Sequence, residues 1–241
     1  MIRIPVLRAG VHEGFPDPNT ALDEPNGLVA AGGDLSPERL LDAYRHGIFP
    51  WFSEGEPILW WSPDPRTAFA TDHIHVSTRL RRWLRGCGWT IRADTAFADV
   101  VRACAAPRAI QRGTWITPGM LAAYQQLHAL GYAHSVEIYD VDRLVGGIYG
   151  VAIGRMFFGE SMFSAATNGS KVALFALCRT LHGWQFPLLD AQVPSPHLFT
   201  LGAFEMQRAK FIAQVAELSA QPSQSGSWRE RWPLHAAKAL A

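Results

Sequence analysis

The chain has 241 residues, 48% of them hydrophobic, with 22 Lys and Arg against 21 Asp and Glu for a formal charge of +1. That is ample material for one large packed domain or two small ones, and it lacks the basicity usual in a protein that coats long nucleic acid. A few phosphate contacts need only a local basic patch, so the near-neutral total leaves an RNA partner open.

Met1-Ile-Arg-Ile-Pro-Val-Leu-Arg8 is interrupted by charge and proline and does not read as a signal peptide. Residues 1–65 are rich in Pro and Gly and predict a small irregular domain ending at the Ser62-Pro-Asp-Pro65 turn, with residues 66–241 forming a second domain. Within the first, a Gly-Gly turn leads to Asp34 and Ser36 as helix caps and Pro37 opens the helix. Arg39–His46 then carries Leu40, Leu41 and Tyr44 on its apolar side. Gly47 stops that helix and delivers Ile48-Phe-Pro-Trp-Phe52, an aromatic segment stiffened by proline and suited to receiving a flat ring. Trp60 and Trp61 read as core.

Val76–Arg85 predicts a helix with Arg79, Arg82 and Arg85 on one face, Arg81 at its edge, and Val76, Leu80 and Trp83 or Leu84 opposite. Ala96–Cys104 and Pro118–Leu130 predict two more, the second with Leu121, Tyr124 and Leu127 inward and Gly131 as its stop. The period then changes to two: His134–Tyr139, Arg143–Ile153 and Arg155–Phe163 read as three antiparallel strands. A helix over Asn168–His182, a buried strand over Pro187–Val193 and a helix around His197–Leu201 follow. A strand near Phe204–Ala209 and a closing helix over Phe211–Leu218 complete the run. Gln221–Ser227 reads as a linker before a peripheral tail. The apolar stretch 144–163 is broken by Arg155, Glu160 and several glycines, which argues against a membrane span. Cys87, Cys104 and Cys178, odd in number and widely spaced, suit neither a disulfide framework nor a zinc site. A reducing cytoplasm is the simplest reading.

Three constellations carry chemistry. Asp190 and Gln192, two apart on a strand, are expected to project from one face, and a carboxylate beside a neutral amide can accept a proton while the amide orients its donor. The same pair could equally close a turn and satisfy a loop carbonyl. Glu160, flanked at two residues by Phe158 and Met162, predicts a carboxylate on an apolar face, which needs a partner. Arg155 or Lys171 would supply one if its role were structural. The Arg79/Arg81/Arg82/Arg85 face is either solvated surface or a phosphate contact.

Several blocks in order, Asn26–Phe52, Leu59-Trp-Trp-Ser-Pro-Asp-Pro-Arg66, Gly113-Thr-Trp-Ile-Thr117, Gly159-Glu-Ser-Met-Phe-Ser164, Leu189-Asp-Ala-Gln192 and Leu201-Gly-Ala203, resemble leucyl/phenylalanyl-tRNA–protein transferase. The resemblance covers roughly residues 20–215. It implies transfer of Leu or Phe, and to a lesser extent Met, from aminoacyl-tRNA to a protein beginning with Arg or Lys, marking it for degradation by the N-end rule pathway. It also implies an α/β (α+β) architecture with a small N-terminal domain before an acetyltransferase-like (GNAT) domain, and the strand-strand-strand-helix-strand-helix-strand order agrees. By the same resemblance, Asp190, Gln192 and Glu160 are catalytic, Glu160 helping to hold the substrate; the expected step has Asp190, held through Gln192, drawing a proton from the attacking amine. Trp51 and Trp115 border the aminoacyl-adenosine, and Phe157, Met162, Leu174 and Ile148 surround the transferred side chain. Ser195 stands where some relatives place Asn and is expected near the substrate. The Arg face over 79–85 would meet the acceptor stem through its backbone.

The implied reaction needs no metal and no cofactor, because the ester is already activated. The expected protein is a monomer, off the membrane and cytoplasmic. An acyl-CoA-dependent acetyltransferase is the main rival, but Ser164-Ala-Ala-Thr-Asn-Gly-Ser-Lys171 lacks the glycine-rich pyrophosphate loop of such enzymes. A non-catalytic tRNA-binding module would leave Asp190, Gln192 and Glu160 unexplained. A peptidoglycan-type aminoacyl transferase would lack the block at 26–52.

Overall fold

The computed structural model describes residues 4–11, 13–106, 114–222 and 226–241. The first part of the chain forms β1 (Val6–Leu7), β2 (Leu28–Gly32), α1 (Pro37–Arg45), β3 (Phe49–Pro50) and β4 (Leu59–Trp61), with the strands in a four-stranded sheet ordered β1-β2-β4-β3. Helix α1 starts at Pro37, as the sequence predicts, and the missing N–H of Pro37 costs nothing there. Ser36 occupies the N-cap, but its hydroxyl bonds Asp34 at 2.6 Å rather than the helix backbone.

The remainder contributes β5 (Arg66–Ala70), α2 (Thr78–Arg85), β6 (Thr90–Ala93), α3 (Phe97–Ala105), α4 (Pro118–Ala129), β7 (Ala133–Asp140) and β8 (Arg143–Ile153). It continues through β9 (Met156–Ser164), α5 (Gly169–Gly183), β10 (Leu188–Gln192), α6 (Pro196–Thr200), β11 (Phe204–Met206) and α7 (Arg208–Ser219). Its seven strands form one sheet, ordered β11-β5-β10-β9-β8-β7-β6. All neighbours in it pair antiparallel except β9 and β10. From residue 76 onward every α-helix and strand except β6 matches its predicted type. The six strands β1 to β6, each of five residues or fewer, have no predicted counterpart. Too short to show a period, they are fixed by pairing with distant partners.

Strand alternation divides the core. Tyr149, Val151 and Ile153 of β8 pack with residues of α1, α3, α4 and α7 on one face. Ile148 and Ala152 pack with α2, α5 and the end of the chain on the other.

The tail corrects the expectation of a peripheral segment. Trp228 and Trp232 are buried, and Trp228 stacks on His134 at 4.0 Å. Asp94 accepts hydrogen bonds from the Trp228 N–H (2.7 Å) and the Ser135 N–H (3.0 Å), and lies 2.9 Å from Nδ1 of His134. A carboxylate with these contacts ties the tail to the sheet, and part of the predicted linker (223–225) lies outside the described residues.

Candidate active site

Two bulges build the site. Along the β8–β9 ladder Gly150 faces Gly159 while Tyr149 faces Ser161, so Glu160 is the extra residue. Gly150 permits this approach, since a Cβ there would lie 2.2 Å from the carbonyl oxygen of Phe158. Along β10–β5, Asp190 faces Ala68 and Gln192 faces Thr67, leaving Ala191 as the extra residue. Gln192 has φ +59°, the left-handed region that a side chain enters only when its surroundings fix it. The registered pairs of β9 and β10 run from Leu188 with Met156 to Asp190 with Phe158, ahead of both kinks. Bulges at such places re-aim side chains, so the simple alternation expected for Asp190 and Gln192, and for Phe158, Glu160 and Met162, does not hold.

Glu160 is bound by neutral donors. Tyr44 of α1 donates to its Oε1 at 2.7 Å, Tyr124 of α4 to its Oε2 at 2.5 Å, and the Gln192 amide to its Oε1 at 3.1 Å. The two phenol oxygens are themselves 2.8 Å apart. Neither expected structural partner bonds it: Arg155 donates to the Trp184 carbonyl, and the Glu160 carboxylate accepts from the tyrosines and the amide. Desolvation is the largest influence on this carboxyl and pushes its pKa up to about 7, against the lowering effect of the two phenols.

Asp190 occupies a different environment. It is fully buried, and Arg66 grips it with Nε to Oδ1 at 2.8 Å and Nη2 to Oδ2 at 2.7 Å. The backbone N–H of Gln192 adds a third bond to Oδ1 at 2.9 Å. Arg66 also donates to the Gly47 carbonyl at 3.0 Å and stacks on Phe49 and Phe211, with its Cζ 4.8 and 4.5 Å from the ring centres. One buried ion pair thus holds the Gln192 bulge and the start of the aromatic segment together.

A cavity of about 1130 Å³ opens over these residues. Trp51, Trp115, Glu160, Met162, Leu174, Ile148, Asp190, Gln192 and Ser195 all line it. Phe157 does not; it is buried behind the wall, against Trp228. Trp51 is 45% exposed and Trp115 half-buried. Gly113 of the Gly-Thr-Trp motif lies outside the described residues. Trp60 is fully buried as expected, but Trp61 is not a core residue: it lines the cavity, donates its indole N–H to the Trp51 carbonyl at 2.7 Å and meets the Trp51 ring edge-on at 5.9 Å. Arg79, Arg81, Arg82 and Arg85 are exposed on α2 and lie outside the lining. Sequence reasoning placed Tyr44 and Tyr124 only as apolar contacts and missed Arg66. A buried tyrosine hydroxyl usually finds a partner, which was the available signal.

The sequence profile described as "Leucyl/phenylalanyl-tRNA protein transferase" matches residues 68–216, and that of the same family's N-terminal domain matches residues 33–64. The chain belongs to this family. Leucyl/phenylalanyl-tRNA–protein transferases of Xanthomonas campestris pv. campestris (62% identity, 94% of this chain and 92% of that one) and Xylella fastidiosa (59%, 89% and 88%) are similar to it along most of its length. That of Xanthomonas euvesicatoria pv. vesicatoria is 59% identical over 98% of this chain and 94% of the relative. A functionally unknown conserved protein from Staphylococcus epidermidis aligns at TM-score 0.38 with 8% identity, covering 75% of this chain and 68% of that one, which assigns no fold.

Proposed function

We propose that the cavity binds the aminoacylated 3′ end of leucyl- or phenylalanyl-tRNA and transfers the amino acid to the N-terminal amine of a protein beginning with Arg or Lys, the modification that marks it for degradation by the N-end rule pathway. The observation that carries this reading is the joint lining: aromatic faces at Trp51 and Trp115, an apolar wall of Ile148, Met162 and Leu174, and the Glu160–Gln192 pair between them. An unpaired adenine stacks on such rings at about 1–3 kcal/mol per base, and an apolar wall takes Leu or Phe, and Met, with little discrimination between them.

Among the described lining residues Glu54, Glu56, Glu160 and Asp190 are acidic, Asp190 being paired with Arg66, and none is Lys or Arg. That charge suits a cationic acceptor. The Arg face of α2, outside the cavity, suits phosphates of the acceptor stem.

In the step itself the amine nitrogen forms a bond to the ester carbonyl carbon and the bond to the ribose 3′-oxygen breaks. The proton lost from nitrogen passes to Glu160 and from there to the leaving oxygen, so the carboxylate is restored. A carboxyl with a pKa near 7 serves both transfers. Asp190, already engaged by three bonds, holds Gln192 in place rather than exchanging protons. Alignment of two substrates supplies much of the acceleration.

The order of the seven-stranded sheet, with one parallel pair that diverges at the site, supports an acetyltransferase-like domain from residue 66 onward beside the smaller unit before it. The reading further places the enzyme in the cytoplasm as a monomer. Incubation with Leu-tRNA and a peptide beginning with Arg, followed by mass spectrometry, should show one added leucine, and Glu160→Gln should lose it. No addition by the unmodified protein to Arg- or Lys-peptides would overturn the reading.

A further inference from the structure

We propose that Tyr44 and Tyr124 are positioning residues that aim the Glu160 carboxylate into the cavity and set the pH at which it releases its proton. This rests on Glu160 being the proton carrier of the proposed reaction.

Both rings are fully buried in apolar surroundings where Phe would pack equally well. Their hydroxyls nonetheless converge on one carboxylate, one on each oxygen, and on each other. Burial acts on Glu160 against ionisation, while two phenol donors act for it, so the pair decides where the balance falls. The remaining groups facing Glu160 are Gln192 and Asp190 of β10, Arg66 of β5 and Tyr149 of β8. Arg66 is committed to Asp190, and their opposite charges act on Glu160 in opposite directions. The Tyr149 hydroxyl has no hydrogen-bond partner among the described residues. The phenol pair is therefore the principal local support of the charged form. It also joins α1, from the smaller sheet's segment, to α4, so the smaller unit takes part in tuning the chemistry as well as in lining the cavity.

The test measures kcat against pH, with saturating Leu-tRNA and Arg-peptide, for the unmodified enzyme, Tyr44→Phe, Tyr124→Phe and the control Tyr149→Phe. Loss of one donor to a charged group should move the acid limb up by about one pH unit, an about tenfold loss on its acid side that is regained at higher pH. The control should keep the limb in place, and acceptor ionisation is common to all four. In parallel, infrared difference spectra against Glu160→Gln follow protonation of this carboxyl without substrate, and its midpoint should rise in both variants. A limb and midpoint unmoved in Tyr44→Phe and Tyr124→Phe would overturn the inference, as would a uniform loss at every pH. Full activity in Glu160→Gln would instead remove Glu160 from the reaction, while the infrared titration still decides the role of the tyrosines.

Discussion

Arg66 offers the sharpest perturbation of this architecture. Replacing it with Met keeps an unbranched apolar stem but leaves the Asp190 carboxylate with no exposed surface and only the Gln192 N–H as a donor. Removing one partner of a buried, well-formed ion pair costs about 3–5 kcal/mol, because the other charge stays uncompensated. The Gly47 carbonyl also loses its donor, worth about 1 kcal/mol. Against the about 5–15 kcal/mol that separates folded from unfolded domains, the variant should remain folded but show a clearly lower urea midpoint with an unchanged slope. Asp190→Asn alone should also destabilise. The double variant Arg66→Met/Asp190→Asn should lose less than the sum of the two, with a coupling of several kcal/mol, because no buried charge is then left alone. Its transferase activity should stay low, since the Gln192 bulge has lost its support. Additive losses, or a loss under about 1 kcal/mol for Arg66→Met, would refute the idea that this pair anchors the site.

Glu160 makes stability depend on pH. Its folded pKa of about 7 lies above the unfolded value, so its contribution favours folding fully below pH ~4.3 and fades as pH rises through 7. Relative to the unmodified protein, Glu160→Gln should gain stability on the order of 3 kcal/mol between pH 4 and 8 in urea titrations; a pH-independent difference would contradict this. Gly150→Ala drives a methyl group into the Phe158 carbonyl and should displace the Glu160 bulge, lowering both melting temperature and activity. Leu174→Ala should widen the apolar wall and raise the Phe:Leu ratio in a competition assay with mixed charged tRNAs, at a stability cost of about 2–5 kcal/mol. An unchanged ratio would place the transferred side chain elsewhere.

The long elements were legible because each carries its own period: β8 matches its predicted bounds, and α4 and α5 fall within a residue of theirs. The motifs around Trp51, Trp115, Glu160 and Asp190 identified the family, and they also converge on one cavity. Local sequence could not give the bulges at Glu160 and Ala191, because a bulge is a mismatch between two strands and exists only once both are paired. The same holds for the partners of the two acids. Arg66 reaches Asp190 across 124 positions and Tyr44 reaches Glu160 across 116. Which carboxylate is locked by a cation and which is left among phenols was decided by tertiary packing alone, since the identity of a residue fixes what it can donate or accept but not what stands beside it.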